Sequence, residues 1–237
     1  MDTRTSHDDT ATFPFLFEPP NPSDTPQDLF KNEHRYIRKT DSREILFYTD
    51  GACLRNGQSN PQAGCAFVHR PSAYAQDGTL THAGTVGFSL EEKGPTGAMY
   101  KHTSNRAELR AVIAVLQFRD WSVDCNAGWR SIVIATDSEY VAVGATSWAT
   151  KWEVGGWKTY DRKLQRRIDV KNQDLWQLLL AEVRKLHSRG VNVSFWRIPR
   201  ELNSRADKFA REVAQSEGRP DYEVIIPTGP VGIGSKP

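Results

Sequence analysis

The chain has 237 residues, 38% of them hydrophobic and 25% charged, which allows one well-buried core with tails. Its 31 Lys and Arg against 29 Asp and Glu leave a net charge of +2, so any basic surface must be local, and no apolar run is long enough to span a bilayer. Cys53, Cys65 and Cys125 fit neither a disulfide framework nor a Cys-x-x-Cys metal spacing, and the Asp-bearing N-terminus lacks a secretory core or an Arg-rich import pattern, so the expected location is cytoplasm or nucleus.

Residues 1–43 are rich in Pro, Thr, Ser and Asp, as in FEPPNPSDTPQD, and have no sustained periodicity; they read as an irregular N-terminal extension whose aromatic pieces, Phe13 to Phe17 and Tyr36, could dock on the core. The folded domain is expected over residues 44–216. It opens with three strands, near 44–53, 64–70 and 81–90, followed by a helix over 104–119 and a strand SIVIAT. A Trp-rich helical stretch begins near Ser138, and a long helix over 172–187 stops at Gly190. VNVSFW is the last strand, and NSRADKFAREVAQ the last helix, with Asn203 as its N-cap. Strands first, then alternating helices and strands, predict an α/β fold built on a mixed sheet. Residues 217–237, rich in Gly and Pro, read as an extended C-terminal tail.

Four acids sit where local rules do not want them. In ILFYTDGAC, period-2 alternation puts Asp50 on the side of Leu46 and Tyr48, although it could simply start a turn with Gly51. Glu108 lies four residues before Val112, at the edge of the apolar stripe of its helix. Asp137 closes a buried strand at its carboxyl end, where α/β sheets place ligand crevices, or else caps the next helix. Asp207 lies one turn before Ala210, on a small-residue side that can approach a sheet. If the four converge, cations must balance their repulsion; Mg²⁺ suits carboxylate oxygens, and two such ions can hold an attacking water and a leaving oxygen in line across one phosphodiester.

TDGAC, TSNRAEL, IATDSEY, WKT, VKNQDLW and NSRADKFA occur in the order seen in type 1 ribonuclease H, and the chain resembles that family over residues 44–214. The resemblance implies a ribonuclease H-like fold, with a five-stranded mixed sheet flanked by helices. It also implies endonucleolytic cleavage of the RNA strand of RNA/DNA hybrids by two Mg²⁺ ions, Mn²⁺ being able to substitute, with 3′-hydroxyl and 5′-phosphate ends. Asp50 would touch both metals, Asp207 would help hold the one that activates water, and Glu108 and Asp137 would hold the other. Asn56, Ser104 and Asn105 would read ribose 2′-hydroxyls, Thr103 and Asn172 would hold a DNA-strand phosphate, and Tyr140 and Trp148 would line the DNA channel.

Over residues 151–171 seven Lys or Arg stand against three Asp or Glu, interleaved with Trp152, Trp157 and Tyr160. With Trp157 and Lys158 among its contacts, this stretch looks like the family's basic protrusion; by composition alone it is a charged, solvated loop, and Trp148 and Trp152, four apart, could pair as core. The chain departs from the family in the loop WRIPRELNSRAD, which has no histidine; Arg200 stands there and could contact phosphate, but it cannot act as a general base. The N-terminus does not resemble a hybrid-binding domain, and nothing demands more than a monomer. Another nuclease of the superfamily, or a hybrid-binding protein without catalysis, is the alternative.

Overall fold

The computed structural model describes residues 14–74, 79–81, 83–124 and 128–227. Cys125, His7 and His82, Phe13 and the end of the tail lie outside the described residues, as do residues 75–78 of the insert after Pro71, which carries the short pair β4 (Ala73–Tyr74) and β5 (Leu80–Thr81).

The sheet is mixed, as expected, but six-stranded. β2 (Glu44–Leu54) is its centre, paired antiparallel with β3 (Gln62–Val68), which pairs antiparallel with β6 (Thr85–Ser89). On its other side β2 runs parallel to β7 (Ser131–Thr136), and β7 to β10 (Asn192–Arg197). The sixth strand is β1 (Phe15–Leu16), laid parallel on β10 by the N-terminal extension. Two paired residues carry no periodicity, so only the docked structure reveals them. The extension goes on to pack Phe17 and Phe30 against Trp196, with Phe17 and Trp196 centroids 4.7 Å apart, and adds one short helix, α1 (Pro26–Leu29).

Alternation divides β2 between two apolar layers. Ile45 and Phe47 join the large core under α2 (Ser104–Phe118) and α5 (Gln173–His187); Leu46 and Tyr48 face a smaller one built from Trp196, Ile198, Ala206 and the extension. The last helix, α6 (Ser204–Val213), crosses the antiparallel half of the sheet. Gly64 permits this: a Cβ there would lie 2.4 Å from the Ala210 carbonyl oxygen.

Helix α2 is anchored through two buried arginines one turn apart. Arg106 makes a bidentate pair with Asp174 of α5 (2.9 and 2.6 Å), and Arg110 pairs with Glu91 at 2.7 Å. Such a pair is costly to break from one side, by about 3–5 kcal/mol, because the partner charge stays buried. The described part of the tail closes over the second pair, with the Tyr222 ring 4.3 Å from the Arg110 guanidinium and the Glu223 carbonyl accepting from it at 2.6 Å. This part of the tail is therefore extended but docked.

The Trp-rich stretch is α3 (Glu139–Val143) and α4 (Ala149–Val154) joined by a π turn, Gly144–Trp148. The basic segment continues as a hairpin, β8 (Lys158–Asp161) and β9 (Arg166–Asp169), with Arg162, Lys163, Arg166 and Arg167 exposed.

Candidate active site

Each of the four acids comes from a different element. Asp50 lies inside β2, two residues past its last pairing with β7, and is 5% exposed. The register Tyr48↔Ala135, continued by two residues, brings Asp137 alongside it at the carboxyl end of β7. Glu108 reaches the same place because Gly51 follows Asp50: a Cβ on Gly51 would lie 2.1 Å from the Glu108 backbone nitrogen, so only glycine lets α2 come this close. Asp207 arrives on the first turn of α6.

Asp50 registers this crowding. Burial, then the charges of Asp137, Asp207 and Glu108, push its carboxyl up to about 7, against a small opposing contribution from the Gly51 N–H. Glu108 is also raised, chiefly by burial, while the Ser138 hydroxyl, donating to it at 2.5 Å, holds it down. Asp137 accepts from the Asn203 side-chain amide at 2.7 Å. Asp207 is paired with Arg211 at 3.0 Å, one turn on, and with Arg200, whose other terminal nitrogen stands 3.5 Å from Asp137.

The donor set suits a hard divalent cation: it is all carboxylate, with no sulfur or imidazole. Yet among the described residues no three Asp, Glu, His or Cys side chains are gathered closely enough to hold an ion as they stand. The geometry gives the reason. Ser138 draws Glu108 one way, while Arg200 lies across Asp137 and Asp207.

Beside the acids runs a groove of about 650 Å³ lined by Asn56, Thr103, Asn105, Tyr140 and Asn172, five of the residues singled out in the sequence. It meets the acids on α2, where Asn105 precedes Glu108 by one turn. Tyr100, Lys171 and Gln173 line it too, without a sequence signal of their own. Thr103 is also the N-cap of α2, accepting from the Arg106 N–H at 3.3 Å, and half-buried Ser104 begins that helix. Asn172, in the left-handed region at φ 57°, donates to the Tyr140 hydroxyl at 3.2 Å. Trp148 is half-buried, its ring 6.4 Å from Tyr140 and 5.8 Å from Trp152, which packs on the core.

Two expectations need correction. Trp157 is not a surface ring on the basic segment. Its backbone turns inward at φ 58°, its N–H bonds the Trp152 carbonyl, and its side chain is 8% exposed within the core, so it anchors the hairpin instead of presenting a face. Asn203 does stand at the N-cap position of α6, as expected, but makes no side-chain cap bond: its amide donates instead to Asp137 and to the Thr49 carbonyl at 3.0 Å. Lys158 is exposed and paired with Asp169 at 2.5 Å, and Arg200 lies at the acids instead of reaching out from them. Ser138 escaped the sequence reading as a functional residue, although an Asp-Ser pair closing a buried strand is a signal; Arg211 could have been found from its i+4 spacing to Asp207.

The RNase H family model matches residues 42–215, which takes in all four acids. The chain belongs to the ribonuclease H family. This ribonuclease H is 35% identical over 175 residues to the ribonuclease H of Treponema pallidum subsp. pallidum, covering 73% of this chain and 94% of the relative. It is 36% identical over 170 residues to that of a Cyanothece species, covering 70% and 87%. A solved structure described as LC9-RNase H1, a type 1 RNase H with the type 2 active-site motif, aligns at 23% identity with a TM-score of 0.49, over 73% of this chain and 72% of that one.

Proposed function

We propose that this endoribonuclease hydrolyses the RNA strand of RNA/DNA hybrids with two divalent cations, Mg²⁺ by the chemistry of the donors, and leaves 3′-hydroxyl and 5′-phosphate ends. The observation that carries the reading is the convergence on buried Asp50 of three further carboxylates from three other elements. Without added positive charge, Asp50 is still partly protonated near neutral pH. Asp50, Glu108, Asp137 and Asp207 would hold the ions. When bound, such ions make a water nucleophilic at neutral pH and neutralise charge on the phosphate.

The rest of the chemistry belongs to the chain's own side chains. Attack of water on phosphorus with loss of the ribose O3′ gives the proposed ends. Asn56, Ser104 and Asn105 offer amide and hydroxyl groups to 2′-hydroxyls, which distinguish RNA from DNA. Thr103 and Asn172, with Lys171 beside them, fit a phosphate of the DNA strand, and the Tyr140 and Trp148 rings fit deoxyribose. Lys158 and the exposed cations of the hairpin suit the duplex backbone, and Arg200 suits a phosphate once it leaves the acids. Among the described residues no helix is long and apolar enough to cross a membrane.

Cleavage of a labelled RNA/DNA hybrid, beside RNA/RNA, DNA/DNA and single-stranded RNA, in Mg²⁺ and in Mn²⁺, tests this. Internal cuts confined to the RNA strand of the hybrid and lost in Asp137→Asn are expected. Equal cutting of all substrates, or none, would overturn the proposal.

A further inference from the structure

The Arg200 guanidinium bridges Asp137 and Asp207, two acids carried by different elements and read above as ligands of the two different ions. It comes from the 3₁₀ turn Arg200–Asn203 between β10 and α6, the same turn that supplies the Asn203 amide to Asp137. Arg211 binds Asp207 alone, from outside, so Arg200 is the cation that ties the two acids together. Its side chain is 61% exposed, so it can swing into solvent without breaking core contacts.

We propose that Arg200 is a built-in counter-cation that competes with divalent metal for the acidic site. This rests on the reading of the four acids as a metal centre. In the metal-free enzyme it balances part of the carboxylate charge. An ion arriving at either acid must displace one end of the guanidinium, and filling both positions displaces it from both, so the free enzyme binds metal more weakly than its carboxylates alone would. Metal loading is thereby coupled to the departure of Arg200, and a phosphate of the substrate backbone is a suitable acceptor for the released guanidinium.

The test is Mn²⁺ affinity without nucleic acid, by paramagnetic resonance or calorimetry, for the wild type, Arg200→Ala, Arg200→Lys and Arg211→Ala, with the melting temperature of each in EDTA and in saturating Mn²⁺. Two partly exposed ion pairs are modest in strength, so Arg200→Ala should bind Mn²⁺ roughly three- to tenfold more tightly and gain more melting temperature from Mn²⁺ than the wild type. Arg200→Lys, which keeps the charge but cannot span both acids, should fall between, and Arg211→Ala should change affinity less than Arg200→Ala. Equal or weaker binding by Arg200→Ala would overturn the proposal while leaving the metal centre intact. Failure of every form, including the wild type, to bind Mn²⁺ would overturn the metal-centre reading itself.

Discussion

The side-chain amide of Asn203 donates to Asp137 at 2.7 Å and to the carbonyl of Thr49, the residue before Asp50, at 3.0 Å. One buried amide thus ties the interior of β2 to the residue that follows β7, and with them the spacing of two acids. Asn203→Ala removes both donors and should cost about 1–3 kcal/mol of stability, read from the urea midpoint. Asn203→Asp would add a fifth carboxylate; cleavage should fall at least about a hundredfold, and retention of full turnover would show that the amide does not set the geometry.

Gly51→Ala should be among the most damaging single-methyl changes in the protein. The new Cβ would meet the backbone of α2, which the buried Arg106 and Arg110 pairs hold in place, so neither side can yield. A loss of roughly 3 kcal/mol or more in chemical denaturation is expected. Gly57→Ala, strained at φ 81° but open in space, should cost only about 1 kcal/mol. Similar costs for the two would mean that α2 can retreat.

The pH dependence of the metal-free protein follows from Asp50. Its folded-state pKa of about 7 lies above its ordinary 3.8, so between these values the folded state binds more protons than the unfolded one. Stability from the protonated carboxyl is fully present below about pH 4 and is lost as pH rises through about 7. Asp50→Asn should flatten this slope and, above pH 7, be more stable than the wild type by on the order of 2–4 kcal/mol, while abolishing cleavage. Urea denaturation in EDTA at several pH values checks it; an unchanged slope would place the titration elsewhere.

Replacing Arg162, Lys163, Arg166 and Arg167 of the hairpin with serine should raise the KM for hybrid about tenfold with little change in kcat, because these side chains are exposed and outside the acidic site. The dependence of binding on log salt should become shallower by roughly one for each phosphate that is no longer neutralised. An unchanged salt slope would remove the hairpin from the substrate path.

The sequence revealed most where the signal is local. The alternation of β2, the stripe of α2 and the strand end at Thr136 each place an acid from fewer than a dozen neighbouring residues, and the spacing of Asp207 to Ala210 does the same on α6. What was hidden depends on distant partners. The hairpin KTYD/RRID has no strongly buried face, so its alternation carries little contrast. Trp157 looks superficial among basic neighbours until the chain turns at positive φ. The tail looks loose because Arg110, on which Tyr222 and Glu223 settle, lies far back in the chain. Asn203 has the residue type of a cap, and only the register of β2 beside β7 shows that its amide has better acceptors.

The strand Phe15–Leu16 has a consequence for solubility. Phe15 lies opposite Ser194 and Leu16 opposite Phe195, while the Phe17 N–H donates to the Phe195 carbonyl at 2.8 Å. Without this segment β10, with its β-branched and aromatic side chains, would present unpaired amide and carbonyl groups along the rim of the sheet, a template for strand addition by another molecule. The extension that the sequence marks as irregular is thus a self-supplied border: it covers the middle of the last core strand, at Ser194 and Phe195, and shortens the open rim on which another copy could add a strand.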